Sequence, residues 1–129
     1  MQPDVVVPIK PLIAVVDDDV SIRDGTTSLL RSLGFIATGF SSADEFLKSK
    51  HIRSTSCLIT DVQMPGMTGL ALYSQLSASG NPIPTILMTA HPDNSIRTQA
   101  LSAGVAGYLL KPFTEKDLID CIESALSIE

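Results

Sequence analysis

Four places in the chain carry residues able to do chemistry, and each follows a short apolar run. Asp17, Asp18 and Asp19 follow Leu12-Ile13-Ala14-Val15-Val16. Asp61 follows Cys57-Leu58-Ile59-Thr60, and Pro65, Gly66 and Gly69 then break any regular structure. Thr89 closes the run Thr85-Ile86-Leu87-Met88, with His91 two residues on, and Lys111 closes the run that begins at Val105. Carboxylates gathered at one point repel each other and bind protons unless a cation neutralises them. A hard divalent ion such as Mg²⁺ keeps several waters and takes one or two carboxylates plus phosphate oxygens. A hydroxyl and an ammonium alongside can hold the remaining phosphoryl oxygens. A carboxylate can itself be the nucleophile and become an aspartyl phosphate. Phosphoryl transfer asks for little beyond such positioning and charge neutralisation. The set therefore suits the acceptance of a phosphoryl group on an aspartate, if the fold brings the four places together.

The elements between them are arranged to do so. Leu12–Val16 reads as a strand buried on both faces. A helix follows, capped by Asp19 or Ser21, with Ile22, Thr26, Leu29, Leu30 and Leu33 on one face and Gly34 as its stop. Gly25 inside that helix costs about 1 kcal/mol against Ala and has no evident purpose. Residues 35–40 read as a second strand, and Ser42-Ala43-Asp44-Glu45 as a capping box that opens a short helix with Phe46 and Leu47 inward. Residues 50–56, His51 included, read as a polar loop. Cys57–Thr60 is the third strand, with Asp61 at its C-terminal tip, followed by a helix over 70–79. The fourth strand is Thr85–Thr89, followed by a helix over 94–103 with Ile96, Ala100 and Leu101 inward and Gly104 as its end. The fifth strand covers 105–110. Thr114 and Asp117 cap a last helix whose inner face is Leu118, Ile119, Ile122, Ala125 and Leu126.

Five short apolar strands alternating with helices indicate an α/β fold, a doubly wound five-stranded parallel sheet with helices on both faces. In such a sheet ligands bind outside the strand C-termini, which is where all four places fall. Local alternatives exist for each residue. Asp19 is best read as a helix cap, but Asp17 and Asp18 cannot both be caps. Thr89 alone could be a turn residue, Lys111 a solvated strand-end lysine, and His91 a solvated loop histidine before Pro92.

Composition excludes several functions. The chain has 129 residues, enough for one domain with one good core. Its net charge is -5 with nine scattered basic residues, which argues against a nucleic-acid surface. There is no run of ~18 apolar residues to span a membrane. Residues 1–10 lack the pattern of a signal peptide and read as a flexible tail before a domain at 11–129, so a cytoplasmic protein is expected. Cys57 and Cys121 are far apart in sequence and read as small buried hydrophobes in a reducing compartment.

The span from about Leu12 to Leu126 resembles a response-regulator receiver domain of two-component signalling. The resemblance rests on VVDDD at 15–19, ITDVQMPGMTG at 59–69, ILMTAH at 86–91 and AGYLLKPF at 106–113, a joint set far more specific than any one piece. The central segments are most similar to the FixJ and NarL type, whose full-length members carry a DNA-binding output domain. The resemblance implies a flavodoxin-like receiver fold with strand order 2-1-3-4-5. It implies Asp61 as phosphoacceptor for a sensor histidine kinase. Mg²⁺ (or Mn²⁺) would be held by Asp18 directly, by Asp17 through water, by Asp61 and by the backbone carbonyl of Gln63. Lys111 would pair with the phosphoryl group, ahead of a cis bond to Pro112. Thr89 and Tyr108 would form a switch that reshapes the face made by the fourth helix, fifth strand and fifth helix, used for dimerisation or for an output domain. The side chains of Gln63 and His91 would tune the lifetime of the phosphoryl group. The sequence stops just after its last helix, and the likeness to DNA-binding members favours a receiver separated from its output domain over a single-domain regulator.

Two rivals come from other classes. Asp17 and Asp19 also fit the Asp-x-Asp motif of haloacid-dehalogenase-type phosphatases, which would make the protein a hydrolase with Asp17 as nucleophile. That reading lacks a later pair of strand-end acids and leaves Asp61 unexplained. A flavodoxin-like flavin binder lacks a phosphate loop after the first strand, where three acids would repel the flavin phosphate.

Overall fold

The computed structural model describes residues 11–126; the tail expected at 1–10 lies outside the described residues. Five strands form one parallel sheet in the order β2-β1-β3-β4-β5. They are β1 (Leu12–Val16), β2 (Ile36–Phe40), β3 (Cys57–Asp61), β4 (Thr85–Thr89) and β5 (Gly107–Leu110). The crossovers carry α1 (Val20–Ser32), α2 (Ala43–Leu47), α3 (Gly69–Ala78) and α4 (Asn94–Ala103), and α5 (Glu115–Leu126) follows β5. None of the helices among the described residues is long and apolar enough to cross a membrane.

The sheet separates two apolar layers, because successive strand side chains point to opposite faces. Ile13, Val15, Ile59, Ile86 and Met88 pack with Leu30 of α1 and Leu118 and Ile122 of α5. On the other face Ala14, Val16 and Leu58 meet Phe46, Leu72 and Leu76 of α2 and α3, while Leu87 meets Ala100 of α4. Each fully buried Leu or Ile contributes about 1.5–3 kcal/mol by leaving water, so the near-continuous burial of β1, β3 and β4 is the main source of cohesion.

Helix ends follow local chemistry. The Asp19 carboxylate accepts hydrogen bonds from the Ser21 and Ile22 amides and opens α1. Asp93 does the same for α4, and Gly104 closes that helix at φ 104°. Thr114 and Asp117 bond reciprocally at the start of α5.

The structure corrects several expectations. Leu101 is 43% exposed rather than inward. Ile96 and Ala100, four residues apart, share the buried stripe, and Leu101 lies about 100° round the helix from Ala100. The α2 box is half formed: Ser42 accepts from the Glu45 amide, but the Glu45 carboxylate takes both its bonds from Ser41. Residues 52–54 form a 3₁₀ turn within the expected loop. β5 starts at Gly107 rather than Val105, β2 at Ile36, and α3 one residue earlier than its period suggests. β3 runs on to include Asp61.

Two glycines differ in purpose. A Cβ on Gly69 would overlap the Asp61 carbonyl oxygen and crowd Thr60 and Leu87, so α3 can only start this close to the β3 tip because the residue is glycine. A Cβ on Gly25 would meet nothing within 4 Å. Gly69→Ala is therefore expected to lower stability by about 1–3 kcal/mol through overpacking. Gly25→Ala should raise it by about 0.5–1 kcal/mol, the ordinary helix gain. Urea denaturation of the two variants measures both.

Candidate functional site

Each site residue stands at the C-terminal edge of the sheet for a local reason. β1 ends at Val16, and Asp17 is fixed immediately beyond it by a bond from its amide to the Phe40 carbonyl, 3.1 Å. Asp61 is the last residue of β3, opposite Met88 of β4. Thr89 ends β4 opposite Leu110 of β5, and Lys111 is the next residue, its amide donating to the Thr89 carbonyl at 2.8 Å. The Lys111–Pro112 peptide is cis, as expected.

These tips enclose a cavity of ≈ 260 Å³ lined by Asp17, Asp18, Asp61, Gln63, Thr89, His91 and Lys111, with Asp19 and Ala90 completing its wall. Asp17, Asp18 and Asp61 each offer a carboxylate oxygen within 4.8 Å of the others. The Lys111 ammonium reaches two of them, Asp17 Oδ2 at 3.0 Å and Asp61 Oδ1 at 2.9 Å. Asp17 is buried, Asp61 nearly so, and Asp18 exposed.

Burial raises the Asp61 pKa above the ordinary carboxylate range; the Lys111 ammonium opposes this, and Asp17 and Asp18 add to it. Burial also works to lower the Lys111 pKa, but its bonds to Asp61 and Asp17 outweigh that and hold it above the usual lysine value. Three carboxylates facing one ammonium leave the cavity negative. Oxygen donors in that number, at that spacing and with uncompensated charge, fit a hard divalent cation, which prefers carboxylate oxygens and water.

The two residues expected to form a switch are placed differently. Thr89 lines the cavity, but its hydroxyl is bonded within its own loop, accepting from the His91 amide at 3.0 Å and donating to the His91 carbonyl at 3.3 Å. Tyr108 lies outside the cavity. It is opposite Leu87 in the β4–β5 ladder, on the same sheet face as Thr89 and two positions back. Its ring packs with Val62, Leu87 and Ala100, and its hydroxyl is enclosed without a hydrogen-bond partner among the described residues.

The family profile of the response regulator receiver domain matches residues 13–123. The chain belongs to the response-regulator receiver family. It is 38% identical over 116 residues to nodulation protein W of Bradyrhizobium diazoefficiens, covering 90% of this chain and 51% of that protein. It is 39% identical over 117 residues to the transcriptional regulatory protein FixJ of the same organism, covering 91% and 57%. Among solved structures it matches the response regulator StyR with TM-score 0.83 and 43% identity over 92% of this chain and 60% of that one. It matches the N-terminal domain of FixJ with TM-score 0.83 and 31% identity over 92% and 95%. The chain spans about half the length of the curated relatives it matches. It is thus a receiver domain of a two-component response regulator, of the FixJ/NarL type. Receiver domains generally bind Mg²⁺ at an aspartate cluster of this kind and interact with histidine kinases.

One residue of this receiver's site went unnoticed in the sequence, and another was read only as a break in regular structure although it opens α3. Arg23 donates from Nη1 to the Asp17 carbonyl at 2.8 Å, and Gly69 abuts the Asp61 backbone. A glycine opening a helix so soon after a strand-end acid was the available signal for the second; for the first there was none.

The raised Asp61 pKa has a consequence for stability. An acid with a raised folded pKa destabilises the fold fully above that pKa, and the penalty is relieved as pH falls through it. In EDTA at neutral pH, Asp61→Asn is expected to melt at a higher temperature than the parent chain. The difference should shrink on acidification through the raised pKa, as calorimetry against pH will show.

Proposed function

We propose that this receiver takes a phosphoryl group from the phosphohistidine of a sensor kinase onto Asp61. The observation that carries the reading is the sharing of one buried ammonium, Lys111, between Asp61 and Asp17 in a cavity that also presents Asp18 and Thr89. An Asp61 carboxylate oxygen attacks phosphorus, the phosphorus–nitrogen bond to the donor histidine breaks, and the imidazole leaves with the electron pair. Lys111 pairs with the new phosphoryl oxygens. Asp18 would hold Mg²⁺, with Asp17, Asp61 and the Gln63 carbonyl completing the protein ligands. When bound, Mg²⁺ neutralises charge on the transferring group.

The acquired charge and acceptor oxygens then offer the Thr89 hydroxyl a stronger partner than its own loop. Tyr108 responds because it shares a sheet face with Thr89 and because its hydroxyl, without a hydrogen-bond partner among the described residues, is free to take a second position. The face formed by α4, β5 and α5 changes shape and controls dimerisation or an output domain acting in DNA-binding transcription control. Leu101 on α4 and Leu110 on β5, 43% and 48% exposed, suit a protein contact there. This domain itself makes no contact with nucleic acid or membrane, and works in the cytoplasm. Gln63 and His91, both on the cavity wall, admit or exclude the water that ends the signal. The receiver thereby catalyses its own phosphorylation and slow dephosphorylation.

The test is incubation with Mg²⁺ and acetyl phosphate, followed by intact mass measurement. A phosphoryl adduct is expected, abolished by Asp61→Asn. Lys111→Met and Thr89→Ala should each slow its formation by about 10²–10³-fold and at most that, the usual loss for one charge-stabilising donor. An adduct that survives Asp61→Asn and is lost in Asp17→Asn would replace this reading with the phosphatase one.

A further inference from the structure

We infer that Arg23 is a positioning residue for the cation site, holding the Asp17 carbonyl so that Asp18 is presented to the metal. The inference rests on the proposed Mg²⁺-dependent role of the acidic loop.

All four polar atoms of Asp17 are engaged. Its amide donates to Phe40, its Oδ1 accepts from the Asp19 amide at 2.9 Å, its Oδ2 accepts from Lys111 at 3.0 Å, and its carbonyl accepts from Arg23 at 2.8 Å. The first three fix where Asp17 itself lies. The fourth acts on the next residue, because the Asp17 carbonyl and the Asp18 amide belong to one rigid peptide plane. Orienting that carbonyl sets the direction in which Asp18 leaves the loop. Asp18 is the exposed member of the cluster and so the one least constrained by packing.

The path of the Arg23 side chain is also built. It reaches from the first turns of α1 across β2 at Gly39. A Cβ there would stand 2.9 Å from Arg23 Cγ and 3.1 Å from Cδ. Gly39 is not in the left-handed region, so its backbone does not demand glycine. What the missing side chain provides is room for the arginine stem. Beyond it, the positive charge also acts on Glu45, which caps the neighbouring α2 loop. Arg23 thus ties the acidic loop to the strand and loop beside it, as the outer-shell groups of metal sites orient their ligands.

Three variants test this. Arg23→Met keeps the apolar stem and removes the donor. Gly39→Ala keeps every charge and displaces the stem. Arg23→Lys retains a single donor. Mg²⁺ affinity is read by titration calorimetry, and phosphorylation by acetyl phosphate is read across a Mg²⁺ series. Arg23→Met should weaken Mg²⁺ binding by about tenfold, the lower end of outer-shell effects, with a smaller change in phosphorylation rate at saturating Mg²⁺. Gly39→Ala should shift in the same direction, and Arg23→Lys should recover part of the loss. Unchanged Mg²⁺ affinity in Arg23→Met and Gly39→Ala would overturn the inference, as would a fall in melting temperature alone. A parent chain that forms no adduct on Asp61 would instead overturn the function proposed above, whatever the Mg²⁺ affinities.

Discussion

The edge of this sheet depends on one ammonium group shared between two carboxylates. Lys111 stands 3.0 Å from Asp17 and 2.9 Å from Asp61, and all three side chains are largely removed from water. Without it, two acids removed from water would face each other with no counter-charge. With it they share one positive charge, and Asp18 adds a third carboxylate to the same cluster. Buried ion pairs are weak evidence for stability, because desolvation offsets much of their attraction. Here the arrangement makes better sense as a held imbalance: one ammonium among three carboxylates.

The parallel topology is what makes that geometry reachable. Asp17 and Lys111 are 94 residues apart and Asp61 and Lys111 are 50 apart in sequence. They meet because β1, β3 and β5 all end on the same rim. β3 and β1 are neighbours, and β4 separates β3 from β5, so the lysine side chain must reach over the β4 tip. A long flexible stem suits that span. Gly69 removes a steric conflict between the start of α3 and the Asp61 backbone.

The fold was legible because it is written in short-range signals. Apolar runs, helix caps such as Asp19 and Thr114, and stops such as Gly104 all act within a few residues. The gathering of Asp17, Asp18, Asp61, Thr89 and Lys111 was legible because strand ends converge in any parallel sheet. What could not be read is how individual atoms share partners. The bond from Arg23 to a backbone carbonyl has no side-chain signature at the accepting end, and the reason for Gly39 appears only once the arginine stem is seen crossing it. Glu45 going to Ser41 rather than Ser42 is a choice between adjacent donors that spacing does not resolve. Leu101 was misplaced because a ten-residue helix with one fully buried residue has too faint a stripe to orient it.

Lys111 also links the rim to the strand behind it. Its ammonium holds Asp61 while its own amide is bonded to the Thr89 carbonyl, so a single residue joins the acidic cluster to the end of β4. Three residues earlier on β5 is Tyr108, with its unpartnered hydroxyl and its ring against Leu87 and Ala100. The strand between them has only four residues, and its exposed Leu110, opposite Thr89, lies on the same sheet face as Tyr108. Coupling over so short a path needs no long chain of contacts. It needs an element with two acceptable arrangements, and the switch proposed for Thr89 and Tyr108 asks for no more than that: a hydroxyl held by its own loop and, two register positions back on the same sheet face, a hydroxyl with no hydrogen-bond partner among the described residues.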